Sequence, residues 1–502
     1  MKTLWKIILR KGSKMEVSEE SNDENTREKD YVVKSMGSFG VYQAVVCIVA
    51  GVARFIPIWN LLSIIFITPT TEFICKEFKN NVTKEVDHSI CYEDCVEYEY
   101  DEMVFKRSVV SSYGLVCEKA WMNNFINTVM ILGVLIGSLL YGWVSDRHGR
   151  RNAFRLSTFF SINFMFVILF SPNIWTFTVF RAIIGTTSGG ILVISIVYIM
   201  EVIGSKYRES AVCWIISSDS IAAALLSVFA YYTTTWDIFL FYCEIASIFI
   251  FALVLGLPET PQWLVTNAKT DKAIQIVASA AKWNKLETID IKENIKKYVE
   301  EFNIEEKKME TNYIHLFRNR DLTFKTICIF LLFTQAGIAS CGLNDYVQFV
   351  EPDIYMSLVI HGLMQVLISI LAVVSNNIST RKTLIVILLF TTSLSMASAT
   401  ILPEDYWITA ICSTIGWSAT IILLAVLFMY TVELYPTSLR NMAVGLGTSG
   451  LLLGALVTSS IAGVTPPWVA PFISTALSSL AAFFCVFLPE TKGYVLKNTV
   501  DW

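Results

Sequence analysis

Twelve times along its 502 residues the chain runs for about twenty residues with few charges, and that recurrence constrains the fold more than any other feature. A helix rising 1.5 Å per residue needs roughly 20 apolar residues to cross about 30 Å of hydrocarbon while keeping its backbone hydrogen bonds internal. The runs lie near 41–66, 122–144, 153–171, 174–200, 211–231, 236–256, 324–344, 355–375, 383–402, 406–430, 443–464 and 468–488. Their apolar residues are continuous, whereas the strands of a membrane barrel would alternate. An all-α membrane protein of twelve transmembrane helices follows, and the composition agrees: 54% hydrophobic and 16% charged is far too apolar for a water-soluble chain of this length.

Charge between the runs sets an expected orientation. The breaks after the second, fourth, eighth and tenth runs hold Arg147, Arg150, Arg151, Arg155, Lys206, Arg208, Arg381, Lys382 and Arg440. The opposite short breaks hold acids such as Asp237, Asp345, Glu351, Asp353, Glu404 and Asp405, and no Lys or Arg. The positive-inside rule then places both termini in the cytoplasm, with the plasma membrane as the expected location. The first 40 residues pair a basic start with an acidic stretch from Glu16 to Asp30, and their short apolar run at Ile7–Leu9 is no signal peptide. They read as a cytoplasmic tail, with a membrane-surface helix in the first turns as the alternative.

Three marks recur at one offset. Asp146 is matched by Asn376; Glu201 and Arg208 of EVIGSKYR are matched by Glu433 and Arg440 of ELYPTSLR; Pro258, Glu259 and Thr260 are matched by Pro489, Glu490 and Thr491. Each second mark falls about 231 residues after the first, which describes two six-helix bundles related by an axis along the membrane normal. The expected layout is a tail at 1–40, a first bundle at 41–258 with an outer loop at 70–120, an interhalf loop at 259–321, a second bundle at 322–489 and a tail at 490–502. The interhalf loop has apolar residues at helical spacing among its Lys and Glu and reads as two or three amphipathic helices.

The outer loop holds Cys75, Cys91, Cys95 and Cys117. An even set on the oxidising side of a membrane argues for two disulfides, with three pairings open. Neither spacing nor histidines resemble a metal site. Asn81 begins a glycosylation sequon in the same loop, and the sequon at Asn377 falls on the side expected to be cytoplasmic and silent.

Between the second and third runs, GWVSDRHGRR (Gly142–Arg151) sets Asp146 beside Arg147, Arg150 and Arg151, with a tight turn at Gly149. Physically this is a charge clasp: the acid can hold a neighbouring helix end in one state of a moving protein and release it in another. With FRAIIGTTSGG (Phe180–Gly190), EVIGSKYR, PETPQWLV (Pro258–Val265), YTVELYPTSLRNMAVG (Tyr430–Gly445), LPETKG (Leu488–Gly493), YGLVCEKAW and the long cysteine loop, the chain resembles the major facilitator superfamily, and within it the organic cation and anion transporters. The resemblance implies a carrier of small organic ions working by alternating access. It implies a gating set of Gly142, Asp146, Arg147, Gly149, Arg150 and Arg151, with Glu201 and Arg208, their counterparts Glu433 and Arg440, Arg181 of the fourth helix, and Glu259 and Glu490 ending the two bundles.

The chain also departs from that pattern. Around Asn376 the second clasp lacks its acid, glycine and first arginine, so gating is expected to be asymmetric. Leu452, Trp417 and Gln365 stand where relatives carry charge. Conversely Arg54, Asp219, Glu244 and His361 fall inside apolar runs, where an ionisable group is costly and therefore functional by default. Two uses of the first three remain open: an Arg54–acid pair locking the first bundle, or acids that bind substrate or protons. His361 is either a packing residue or a proton site. Trp59, Trp214, Tyr346 and Trp417 are candidate cavity aromatics.

These features point to a secondary-active or facilitative transporter of small organic solutes, cationic or zwitterionic, whose partners are the solute and the lipid bilayer. The alternative is a non-transporting receptor or regulator on the same scaffold. His88, His148, His315 and His361 are scattered without metal spacing, and no GxxxxGK[ST] phosphate loop occurs, so neither an enzyme nor an ATP-driven pump is expected. Nothing calls for a cofactor or a nucleic acid, and the coupling ion and oligomeric state are not legible.

Overall fold

The structure is a computed structural model that describes residues 31–69, 71–78, 90–92, 95–100, 105–204, 207–286, 290–301, 312–347, 354–401, 407–462, 469–485 and 487–491. Its first crossing is two helices in line, α1 (Val41–Ala53) and α2 (Phe55–Ile67). They part at Arg54 because Pro57 has no amide for the Ala53 carbonyl and its ring crowds that carbonyl. The remaining helices of the first half are α3 (Trp121–His148), α4 (Arg150–Ile168), α5 (Ile174–Val202), α6 (Arg208–Tyr231) and α7 (Trp236–Leu255). The second half has α8 (Arg320–Val347), α9 (Ile354–Ile378), α10 (Arg381–Ile401), α11 (Trp407–Leu434), α12 (Arg440–Ala462) and α13 (Val469–Cys485).

Counting α1 and α2 as one, ten helices among the described residues are long and apolar enough to cross a membrane. The two others stand in the remaining sequence-predicted runs: α4, which opens on Arg150, Arg151 and Arg155, and the 17-residue α13. At the arginine-rich end the helices outrun the apolar stretches: α3 continues to His148, α11 to Leu434, and α12 begins at Arg440. Backbone hydrogen bonding does not stop where the hydrocarbon does, and these polar extensions are what meet at the gate.

Each half has its own core, one around residues such as Phe66, Ile126, Ile194 and Phe239, the other around Leu332, Leu389, Leu423 and Tyr430. Four residues from the second half, Ala425, Met429, Val432 and Val444, join the first core. The halves touch most extensively through two helix pairs, α3 with α12 and α6 with α9, and further where α11 and α12 meet α5 and α11 meets α6. Small residues set the tightest crossings. A Cβ on Gly137 would lie 1.8 Å from the Thr186 carbonyl oxygen, and one on Gly445 would lie 2.4 Å from that of Ser138 across the halves. Phe159, Phe249, Phe390 and Leu394 are exposed, as a surface facing lipid requires.

The outer loop folds on an antiparallel pair, β1 (Phe73–Phe78) with β2 (Cys95–Tyr100). Of the three open pairings the structure has Cys75–Cys95, within the hairpin, and Cys91–Cys117, which ties the hairpin to the start of α3. Peptide mapping of the unreduced protein by mass spectrometry is expected to recover these two cross-links; free thiols at the four positions, or a Cys75–Cys91 peptide, would contradict the hairpin. Asn81 lies outside the described residues, as do most of the 1–40 tail and the end of the chain.

In the interhalf segment, helices at Pro261–Thr266, Thr270–Trp283 and Ile291–Glu301 bury Ala273, Val277, Ala280 and Ile295. Asn284 stitches this layer to the start of α1: its Nδ2 donates to the Met36 carbonyl (2.7 Å) and to Gln43 Oε1 (2.8 Å), and its Oδ1 accepts from the Tyr42 amide.

Candidate functional site

The arginine-rich end is built from the same local unit twice. α4 begins immediately after Gly149, whose φ of +102° is a region that side chains rarely occupy. A Cβ there would also lie 2.4 Å from Glu259 Oε2. The space is needed because Glu259 caps α4, accepting from the Arg150 amide (2.9 Å) and the Arg151 amide (3.2 Å). Burial raises the Glu259 carboxyl above the usual range, opposed first by the amides of Thr260 and Arg151 and then by Arg150. In the second half Glu490 caps α10 in the same way, accepting from the amides of Arg381 (3.0 Å) and Lys382 (3.2 Å). Thr260 Oγ1 donates to Glu201 (2.7 Å) as Thr491 Oγ1 donates to Glu433 (2.8 Å). Tyr198 donates its hydroxyl to the Pro258 carbonyl as Tyr430 does to that of Pro489.

This pairing corrects the register of the repeat. Arg381 stands in the place of Arg150 and Lys382 in that of Arg151, so the counterpart of Asp146 is Asn377 rather than Asn376, while Ile378 and Thr380 stand where the first clasp has Arg147 and Gly149. These pairs then have the offset of 231 residues that also separates Glu490 from Glu259.

From each unit a glutamate reaches across to the other half. Glu201 Oε1 accepts from Arg150 Nη2 and from Arg440 Nη1, both at 2.9 Å. Glu433 accepts from Arg208 Nη1 at 3.3 Å, with Arg381 Nε at 3.7 Å. Two arginine–glutamate–arginine groups thus cross between the halves, each arginine heading a helix. Asp146 adds a third link: it lies 3.0 Å from Arg150 and accepts from the amides of Met442 (2.9 Å) and Asn441 (3.4 Å) at the start of α12. The side chains of Arg150, Glu201 and Arg440 are fully buried. Removing one partner from such a group leaves an uncompensated buried charge, at a cost of about 3–5 kcal/mol.

Gly142 allows the approach, since a Cβ there would lie 2.9 Å from the Asn441 carbonyl oxygen. Arg147 lies over the Trp143 ring at 5.3 Å. Arg181 is elsewhere: twenty residues before Glu201 on α5, it is about 30 Å along the helix, fully buried and donating to Ser63 Oγ at 3.1 Å. Sequence reasoning missed Glu209, Gln262, Asn441 and Arg381 as gate residues. Gln262 Oε1 accepts from Arg440 (3.3 Å), and Glu209 Oε1 accepts from Arg381 (2.6 Å). Contacts between halves have no sequence spacing to betray them.

Toward the middle of the helices, Arg54 donates from Nε to Asp219 Oδ1 (2.8 Å) and from Nη2 to Oδ2 (2.6 Å), and from Nη1 to Ser195 Oγ and the Leu192 carbonyl. The bent α1–α2 junction aims it at α6 and α5. Of the two uses left open, the structure has an Arg54–Asp219 ion pair. Glu244 stands apart on α7, 2% exposed, with Oε1 lacking a hydrogen-bond partner among the described residues. In the second half His361 stacks on Trp417 with ring centroids 4.0 Å apart and Nε2 unpartnered, while Gln365 and Leu452 are half-buried. Trp59 and Trp214 donate their indole N–H to the Ala222 and Cys47 carbonyls, the use of a packing residue. The side chain of Tyr346 is outside the described set. At the end opposite the arginines, Tyr355 of α9 meets Phe66 and Tyr231 of the first half, with ring centroids 5.6 and 5.8 Å away.

Two six-helix halves joined by reciprocal charge groups at one end, with ionisable groups buried along their helices, define a membrane transporter of the major facilitator fold. The model of the family described as "Sugar (and other) transporter" matches residues 46–500, and the chain belongs to that family. It is 27% identical to solute carrier family 22 member 16 of Homo sapiens, over 81% of this chain and 71% of that one. It is 25% identical to organic cation/carnitine transporter 2 of Homo sapiens, over 82% and 74%. Among solved structures it is similar to the proton:xylose symporter bound to 6-bromo-6-deoxy-D-glucose, with a TM-score of 0.66 and 17% identity over 91% of this chain and 98% of that one.

Proposed function

We propose that the chain carries a small cationic or zwitterionic organic solute across the plasma membrane by alternating access, with the arginine-rich end cytoplasmic and closed in this conformation. The observation that carries the reading is the pair of arginine–glutamate–arginine groups: they join two bundles that have separate cores, so they can part without either bundle unfolding. A regulator on a transporter scaffold would need no such reciprocal gate. The substrate's sign rests on the ionisable groups inside the first half. Arg54 and Asp219 cancel, which leaves Glu244 as the acid without an ion pair among the described residues, and the relatives named for organic cations and carnitine fit an acid in that place. In proteoliposomes, organic cations and zwitterions from a labelled panel are expected to be taken up at least tenfold faster than organic anions of similar size; a plain anion as best substrate would reverse the sign, and no uptake of any would remove the transport reading.

A further inference from the structure

At the two interfaces that close the arginine-rich end, the sequence places one carboxylate residue and one amide residue at the helix ends, in opposite order. Where α3 meets α12, the carboxylate is Asp146 at the end of α3, and the amide is Asn441 at the start of α12, which donates to it from its backbone and from Nδ2. Where α9 meets α6, the sequence puts the amide, Asn377, at the end of α9 and the carboxylate, Glu209, at the start of α6. The repeat relates these positions: Asn377 follows Asp146 by the offset that separates Arg381 from Arg150, and Asn441 follows Glu209 by the offset that separates Arg440 from Arg208.

We propose that Glu209 is the acid of the second clasp, transferred from α9 to the facing helix, so that the gate closes with a carboxylate–arginine lock at both interfaces. Its Oε1 accepts from Arg381 Nη2 at 2.6 Å, with side-chain exposures of 10% and 2%, and Arg381 occupies the place of Arg150. An acid in the first turn of a helix also favours the helix dipole. That role would be met by a side chain turned to solvent, whereas this one is buried and reaches the other half. The lock belongs to the closed state alone, because its donor and acceptor lie on different bundles. Glu209 is therefore a positioning residue for the conformational cycle, and the proposal rests on the alternating-access reading.

The test reads conformation without substrate. Spin labels on unnatural residues at the exposed positions Asn152 and Thr383 report the opening of this end in the full chain by pulsed electron resonance. Glu209→Gln is expected to raise the open-to-closed ratio about tenfold, within about threefold of the effect of Asp146→Asn. Returning the acid to its repeat position, with Glu209→Asn and Asn377→Asp together, is expected to restore the wild-type ratio within about threefold. Unchanged populations in Glu209→Gln, or a double variant as open as Glu209→Asn alone, overturn the proposal. The double variant conserves charge, so it decides the question if the single does not fold: a closed chain supports the transferred lock and an open or unfolded one overturns it. Populations that follow this pattern without solute uptake would support the lock and sink the transport reading; a single immobile state in every variant would overturn both.

Discussion

Glu201→Gln is expected to lower transport by at least about a hundredfold while the chain still reaches the membrane. Glu201 accepts four hydrogen bonds at once: from Arg150 Nη2 (2.9 Å) and Nε (3.2 Å), from Arg440 Nη1 (2.9 Å) and from Thr260 Oγ1 (2.7 Å). Glutamine keeps the shape but removes the charge, and it turns an amide N–H₂ toward a guanidinium that can only donate. Asp146 and Glu201 balance Arg150 and Arg440 in this cluster, so one net positive charge would remain buried. The bond from Arg440 is the one that crosses the halves, so the cost of leaving that arginine uncompensated, about 3 kcal/mol, falls on the closed state and shifts it by about two decades. Glu433→Gln should be milder, because its arginines stand at 3.3 and 3.7 Å and its side chain is slightly exposed. Uptake corrected for surface expression measures both. Equal effects would contradict the ranking, and normal turnover in Glu201→Gln would mean the cluster is not a gate.

The fold was legible because its cause is local: an apolar run in a bilayer has few solutions, and the repeat survives in residues that cap or terminate helices. The gate was legible in part. Asp146, Glu201, Arg208, Glu433 and Arg440 announce themselves as charges beside apolar runs. Glu209 did not, because an acid following an arginine at a helix start has an ordinary local explanation. Its partner Arg381 is 172 residues away and belongs to the other half. Asn284, which pins the interhalf layer to α1, was invisible for the same reason. At mid-helix the sequence offered two uses for Arg54, and only the bend imposed by Pro57 decides which acid it reaches.

That pairing alters what Asp219 can do, and Asp219→Asn is expected to lower uptake about thirtyfold through Arg54 rather than through the solute. Both carboxylate oxygens are already engaged by one guanidinium, in the bidentate geometry that makes such a pair strong. The Asp219 side chain is 21% exposed, so the cost of orphaning Arg54 is discounted from the fully buried range to about 2 kcal/mol. A double-mutant cycle separates the roles. If Asp219 only holds Arg54, then Arg54→Gln combined with Asp219→Asn is no worse than the worse single change, and the preference for cations survives. If Asp219 also meets the solute, the losses approach additivity and the cation preference falls with them. Glu244→Gln is the complementary experiment, because Glu244 shares no hydrogen bond with either residue. Its removal should weaken cation uptake in wild type and in the double variant by the same factor. Unequal factors would mean that the three groups act as one charge cluster, and that the cation preference assigned to Glu244 belongs to all of them.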